Sequence, residues 1–208
     1  MTNLTIPAAI IRAAQQCQTK NDVRHFFNGI LFAANGDIVS TDGCILFKCP
    51  NSFEVPEGFA DTIININGAI PTGADELTFL IGNEVVKTDN KKALTFQVVD
   101  STYPDYGRVI PAGQYECASN MIGFNPEYLA RLAKIYPGNV VVLFHGASTD
   151  ATLFKPTHGD PRTKGVPVPE CLRDSVVVLS PSKPGDDMKG ETFYSQKPEK
   201  DHWHKASS

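Results

Sequence analysis

The sequence predicts an α+β fold of short antiparallel strands with few helices, and three observations lead there. Apolar runs of roughly four to six residues recur along the chain, bounded by Gly, Asn, Asp and Pro turn signals. Helical periodicity with a start signal occurs in two places, after Pro7 and after Asn125. The order strand, helix, then three strands recurs, so that three β-α-β-β-β units fit residues 1–182. A plain α+β domain without an internal repeat fits the same periodicity.

Taken in order, Thr5-Ile6-Pro7 reads as the end of a short strand with Pro at a helix start. Ile10, Ile11 and Ala14 share one face, and Arg12, Gln15 and Gln16 another, which predicts an amphipathic helix ending near Lys20-Asn21-Asp22. Strands are expected over 28–33 and 38–40, joined at Asn35-Gly36-Asp37, because Asn-Gly between apolar runs marks a hairpin. Thr41-Asp42-Gly43 then turns the chain into a strand over 44–48. The second unit opens with a strand at 62–66. Its helix is weak, since Gly68, Pro71 and Gly73 crowd 67–74, and strands follow at 77–81, 84–88 and 94–99. In the third unit, Asn125-Pro126-Glu127 supplies a cap, a proline and an acidic first turn. Tyr128, Leu129, Leu132 and Ile135 form the apolar face of that helix, and Pro137-Gly138 stops it. Strands are expected at 139–144, 151–154 and 175–179. Residues 156–170, rich in Pro and Gly, read as a long excursion between paired strands, and 183–208 as a mostly disordered tail.

With 208 residues, 41% apolar and 20% charged, the chain has the balance of a globular protein with a real core. A net charge of −4 gives no whole-molecule attraction to nucleic acid, although a local basic stripe acts inside an acidic protein. The five cysteines are odd in number and scattered, and the close pair Cys44 and Cys49 has no second pair to complete a zinc site. They read as free thiols in a reducing cytosol. No signal-peptide pattern opens the chain and no apolar run approaches the ~20 residues of a membrane span, so a cytoplasmic protein with no membrane partner is expected.

Catalysis is not expected. The sequence has no phosphate-binding glycine loop, no G-x-S-x-G elbow and no His-Glu metal motif. His145, Asp150, His158 and Asp160 imitate a metal site, as does His202-Trp203-His204, and both groups read as solvated loop or tail residues. No catalytic residue, metal or cofactor is therefore assigned, and a hydrolase on an α+β scaffold is the weakest reading.

Two separated segments carry a resemblance. Arg24-His25-Phe26-Phe27-Asn28-Gly29-Ile30-Leu31-Phe32, running on to Ser40-Thr41-Asp42-Gly43-Cys44-Ile45-Leu46, is similar to the R-x-x-L-N-G-x-L-F and A-T-D-G-H-R-L strands of the bacterial DNA polymerase III β subunits, the sliding clamps. Tyr103-Pro104-Asp105-Tyr106-Gly107-Arg108-Val109-Ile110-Pro111 resembles the F-P-D-Y-R-R-V-x-P that closes their middle domain. Further on, Ile122-Gly123-Phe124-Asn125-Pro126-Glu127-Tyr128-Leu129 looks like the I-G-F-N-x-x-Y-L that opens their last half-domain, and Ser175–Pro181 looks like their closing strand. The resemblance implies a clamp-like fold with helices on one side of antiparallel sheets. It places a middle-type domain at 1–112, half of a last domain at 113–182 with the excursion 156–170, and the tail at 183–208. The family's first domain has no counterpart.

What the resemblance implies for function is holding DNA and docking other proteins. An apolar groove for polymerase or clamp-loader peptides is expected at Phe27, Thr41, Gly43, Leu46, Tyr103, Pro104, Arg108, Val109, Val178, Ser180 and Pro181. Inward helix faces would present Arg12, Lys20, Arg24, Arg131 and Lys134 to double-stranded DNA. The chain departs from the family where Cys44-Ile45 replaces the His-Arg after T-D-G, and where Gly107-Arg108 leaves one guanidinium after P-D-Y. Two readings follow: a processivity factor, a shortened clamp of phage or mobile-element type, or a clamp mimic that occupies a host clamp loader or polymerase without encircling DNA. For the first, a homo-oligomer is expected, either a dimer through the third unit or a larger ring.

Overall fold

The computed structural model describes residues 3–111, 123–137, 141–145, 151–157 and 168–181. Among these residues eleven strands make one continuous antiparallel sheet. They are β1 (Asn3–Pro7), β2 (Ile30–Phe32), β3 (Ile38–Thr41), β4 (Ile45–Cys49), β5 (Thr62–Ile66), β6 (Glu76–Leu80), β7 (Val85–Thr88), β8 (Ala93–Val99), β9 (Val141–Phe144), β10 (Thr152–Pro156) and β11 (Val176–Leu179). The helices are α1 (Ala8–Ala14) and α2 (Pro126–Ile135). The order across the sheet is β1-β6-β7-β8-β5-β2-β3-β4-β11-β10-β9. No helix among the described residues is long and apolar enough to cross a membrane.

This order contains an exchange. β1 leaves its own unit and pairs with β6 of the second, Ile6 opposite Leu77. β5 in turn pairs with β2 of the first, Ile64 opposite Ile30. The third unit joins through its last strand, β11, which pairs with β4 so that Val178 faces Leu46.

The middle strands are buried on both faces, which explains why β2 and the Ile45–Phe47 start of β4 read as continuous apolar runs rather than alternating ones, while β3 ends in the buried polar pair Ser40 and Thr41. Ile30, Phe32, Ile38, Ile45, Phe47, Ile64, Phe154 and Val177 point into the core beneath α1 and α2. Their neighbours Leu31, Val39, Leu46, Ile63, Leu153 and Val178 point the other way, into a smaller cluster roofed by Tyr103, Tyr106 and Ile110. The helices thus lie on one face and the 103–111 segment on the other.

Several boundaries differ from the sequence reading, each for a local reason. α1 stops at Ala14 rather than near 20, because the apolar repeat fails at Gln18 and Asn21 and the chain turns over Gln15–Cys17. The strand expected from 28 starts at Ile30, and His25–Asn28 is a 3₁₀ turn. Asn28 closes that loop: its Oδ1 accepts from Thr19 Oγ1 (2.7 Å) and Asp22 N (2.9 Å), and its Nδ2 donates to Asp22 O (2.8 Å). No helix forms over 67–74. Arg12 instead donates to the carbonyls of Pro71 (3.0 Å) and Ala74 (2.8 Å), and Gln15 bonds Gly68 O and Ile70 N. On α2, Leu132 and Ile135 are buried, but Leu129 is exposed and Tyr128 only half-buried. Asn125 caps the helix as expected, its side chain accepting from Glu127 N at 2.9 Å. The tail at 183–208, Cys117 and most of the excursion at 156–170 lie outside the described residues.

Candidate peptide-binding groove

The Thr41-Asp42-Gly43 turn between β3 and β4 is built by side chains bonding to backbone. Asp42 Oδ1 accepts from Cys44 N (2.9 Å) and Ile45 N (3.0 Å), while Thr41 Oγ1 donates to Ile45 O (2.8 Å) and accepts from Gly43 N (3.0 Å). Gly43 sits at φ +94, a left-handed conformation glycine adopts without penalty. An added Cβ there would reach the Phe27 ring at 3.4 Å. The outer carboxylate oxygen of Asp42 binds Arg131 of α2 at 2.7 Å, tying the third unit to the turn. On the far side, Ser180 N donates to Cys44 O (2.9 Å), continuing the β4–β11 pairing past its last strand residue.

The segment 103–111 crosses the face opposite the helices. Asp105 caps a 3₁₀ turn at Tyr106–Val109 by accepting from Gly107 N (3.1 Å). Tyr106 pins the segment to the β2–β3 hairpin: its hydroxyl donates to Asp37 Oδ2 (3.1 Å), and Asp37, nearly buried, pairs with Lys48 at 3.0 Å. Burial raises the Tyr106 pKa above the usual tyrosine range, against the hydrogen bond from Asn35. Phe26 stacks edge-on against Phe27 (4.5 Å between centroids) and Tyr103 (6.3 Å).

Between turn, segment and β11 lies a groove of about 210 Å³. Of the residues expected there, Phe27, Thr41, Gly43, Leu46, Tyr103, Pro104, Val109, Val178 and Ser180 line it. Arg108 and Pro181 do not; Arg108 is exposed outside it. Cys44, Ile45, Asp105, Tyr106 and Ala151 also line it. Tyr106 and Asp105 were legible as neighbours of Tyr103 in the same motif, whereas nothing in the sequence pointed to Ala151. The surface is mostly apolar, with an exposed thiol at Cys44 and the Asp105 carboxylate at the rim. The Tyr103 hydroxyl is buried and has no hydrogen-bond partner among the described residues, and burial pushes its pKa above the ordinary tyrosine value. Such a surface suits capture of a short apolar peptide held by a few polar groups.

The five cations expected to face DNA lie in varied settings. Arg12 and Arg131 are engaged with backbone carbonyls and Asp42 as described, and Arg24 makes a two-point contact with Asp22 (3.0 and 2.8 Å) while stacking over Phe27 at 4.3 Å. Lys20 and Lys134 are exposed. His145 is buried with Nδ1 at 2.8 Å from Thr152 Oγ1. Asp150, His158, Asp160 and the 202–204 triplet lie outside the described residues, and no cluster fit for a metal ion occurs among those described.

No family model matches the chain. Among curated proteins it is similar to the β sliding clamps of Salmonella typhimurium (30% identical over 121 residues, 51% of this chain) and Pseudomonas aeruginosa (30% over 105 residues, 45% of this chain). It spans about a third of the length of those relatives, 33% and 29%. Among solved structures, a P. aeruginosa DNA polymerase sliding clamp with ligand aligns with 88% of this chain and 66% of its own, at TM-score 0.62 and 18% identity. The β chain of DNA polymerase III from Streptococcus pneumoniae aligns with 88% and 65%, at TM-score 0.62 and 12% identity. The fold is that of a DNA sliding clamp. The sheet, with its few helices on one face, corresponds to part of such a clamp.

Proposed function

We propose that the chain acts as a sliding-clamp-like replication factor in the cytoplasm, a processivity factor that docks polymerase-type peptides in the groove between the Thr41–Leu46 turn, the 103–109 segment and β11. The observation that carries this reading is convergence. Residues as distant in sequence as Phe27, Leu46, Tyr103 and Val178 meet on one apolar surface, and they are the positions that the family resemblance nominates. Relative to the family pattern, Cys44-Ile45 and Gly107 remove charged groups from the surroundings of this surface, so the preferred peptide is more apolar than a typical clamp ligand.

Double-stranded DNA is the second partner, contacted without sequence preference from the helix side. With Arg12, Arg24 and Arg131 engaged in the fold, Lys20 and Lys134 are the more available cations, and retention on DNA rests on enclosure more than on phosphate contacts. A homo-oligomer paired through the third unit is part of this proposal. It draws support from β9, the last strand in the sheet order, where Val142 and Leu143 are 41% and 44% exposed.

A fluorescent peptide carrying a polymerase clamp-binding motif should bind the purified protein, and Val178→Lys, which puts a charge on the groove floor, should weaken binding at least about tenfold. Griselimycin, bound by a similar P. aeruginosa clamp, is a second probe, expected to compete with the peptide. Absence of peptide binding, or binding indifferent to Val178→Lys, overturns the groove assignment. Retention on nicked circular DNA with loss from linear DNA separates an encircling clamp from a mimic, which binds replication proteins but stays on neither substrate.

A further inference from the structure

The groove lies at the root of the chain's own C-terminal segment. Ser180 lines it and is fixed there by its backbone bond to Cys44 O (2.9 Å), and residues 182–208 continue from that point. Most of this segment is polar or charged, with Phe193 and Tyr194 adjacent to one another in it and Lys189 and Lys197 on either side. The groove offers the complementary chemistry. Phe27 and Tyr103 both stack edge-on against Phe26, and aromatic clusters of this kind favour a further ring in contact. Val109 stands 52% exposed at the rim, and Asp105 gives the groove a carboxylate opposite in charge to the flanking lysines.

We propose that residues Lys189–Lys197 fold back in cis and place Phe193 and Tyr194 in the groove, so that the chain's own tail competes with incoming peptides. This rests on the reading of the groove as a peptide site. Chain length permits it: 11 residues lie between Pro181 and Phe193, and a flexible tether of that length would have a root-mean-square reach of about 20 Å. A tether of that length holds the tail at an effective concentration in the millimolar range. A tail of only ~100 µM intrinsic affinity then occupies the groove most of the time and weakens an external ligand's apparent affinity about tenfold.

The test compares the full chain with Phe193→Ala/Tyr194→Ala and with a chain ending at Ser182, using methyl NMR and a fluorescein-labelled synthetic peptide of residues 187–200. Both variants should shift the methyl signals of Leu46, Val109 and Val178 while leaving those of Leu77 and Val86 unchanged. The labelled peptide should bind the chain ending at Ser182 about tenfold more tightly than the full chain. Unchanged groove methyls, or equal peptide affinity for all three proteins, overturn the proposal. Methyl shifts that grow with protein concentration assign the groove to the tail of a second copy and overturn the cis arrangement. If the tail moves the groove methyls while no polymerase-type peptide binds even the shortened chain, the tail proposal stands and the polymerase-docking reading fails.

Discussion

Asp42 holds two sides of the site together. One carboxylate oxygen closes the turn through two backbone N–H groups, and the other binds Arg131 from α2. Its side chain is only 9% exposed, so removing it strands two donors and a half-buried guanidinium. Asp42→Ala should therefore cost about 2–4 kcal/mol in urea unfolding, whereas loss of an exposed pair would cost under ~1 kcal/mol. Asp22 gives a pH signature instead. The side-chain hydrogen bond from Arg24, with the backbone bond second, lowers its pKa to about 2. A carboxylate depressed in the folded state contributes stability above its unfolded pKa of about 3.9 and loses it as pH falls through the folded value. Asp22→Asn should thus lower stability at neutral pH, and its difference from the parent protein should vanish as pH falls from about 4 to about 2 in acid-titrated thermal melts.

At the level of elements, β9 is the piece whose exposure invites a partner. Val142 and Leu143, on opposite faces of the strand, are 41% and 44% exposed, and the strand VVLF carries no lysine, proline or other guard against pairing. In the proposed dimer, two chains would join edge to edge at β9 and extend the sheet about a two-fold axis. Sedimentation at micromolar concentration should show a dimer, and Val142→Lys/Leu143→Lys should shift it to monomer. A parent protein that is monomeric at that concentration overturns the arrangement. The elements also show what a single sequence conveys. Strands β5, β6, β7 and β8 were legible to within a residue or so, because Gly82-Asn83 and Asp89–Lys92 punctuate them. The end of α1 and the start of β2 were not, since Asn28 and Gln15 settle them by bonding across loops rather than through periodicity. The groove was legible only through motif resemblance. No composition or spacing rule brings Phe27, Tyr103 and Val178 together; strand pairing and the Tyr106–Asp37 bond do.

At the scale of the whole molecule, the unit of stability is larger than the repeat. The core beneath α1 and α2 mixes Ile10, Phe47, Phe79, Leu132 and Val177 from all three units, and Gly29 packs so closely on β5 that a Cβ would meet Ile63 Cγ2 at 2.5 Å. A fragment of residues 1–60 lacks β5 and β6, the partners of β2 and β1, and should show no cooperative unfolding by circular dichroism. A fragment of 1–111 restores both pairings and should regain a transition, at lower midpoint than the full chain because β4 has lost β11. A cooperative melt from the 1–60 fragment would show the units to be independent.

The exchange of first strands also sets a timetable for synthesis. β1 is made before the other described strands, yet its partner β6 is translated only after β5 has appeared, and β4 waits for β11 at the far end of the described chain. Contacts between residues this far apart form late and slowly. The nascent chain therefore holds the edges of β1 and β4 unpaired until β6 and β11 have been made, and shielding those edges in the interval should raise the yield of folded protein.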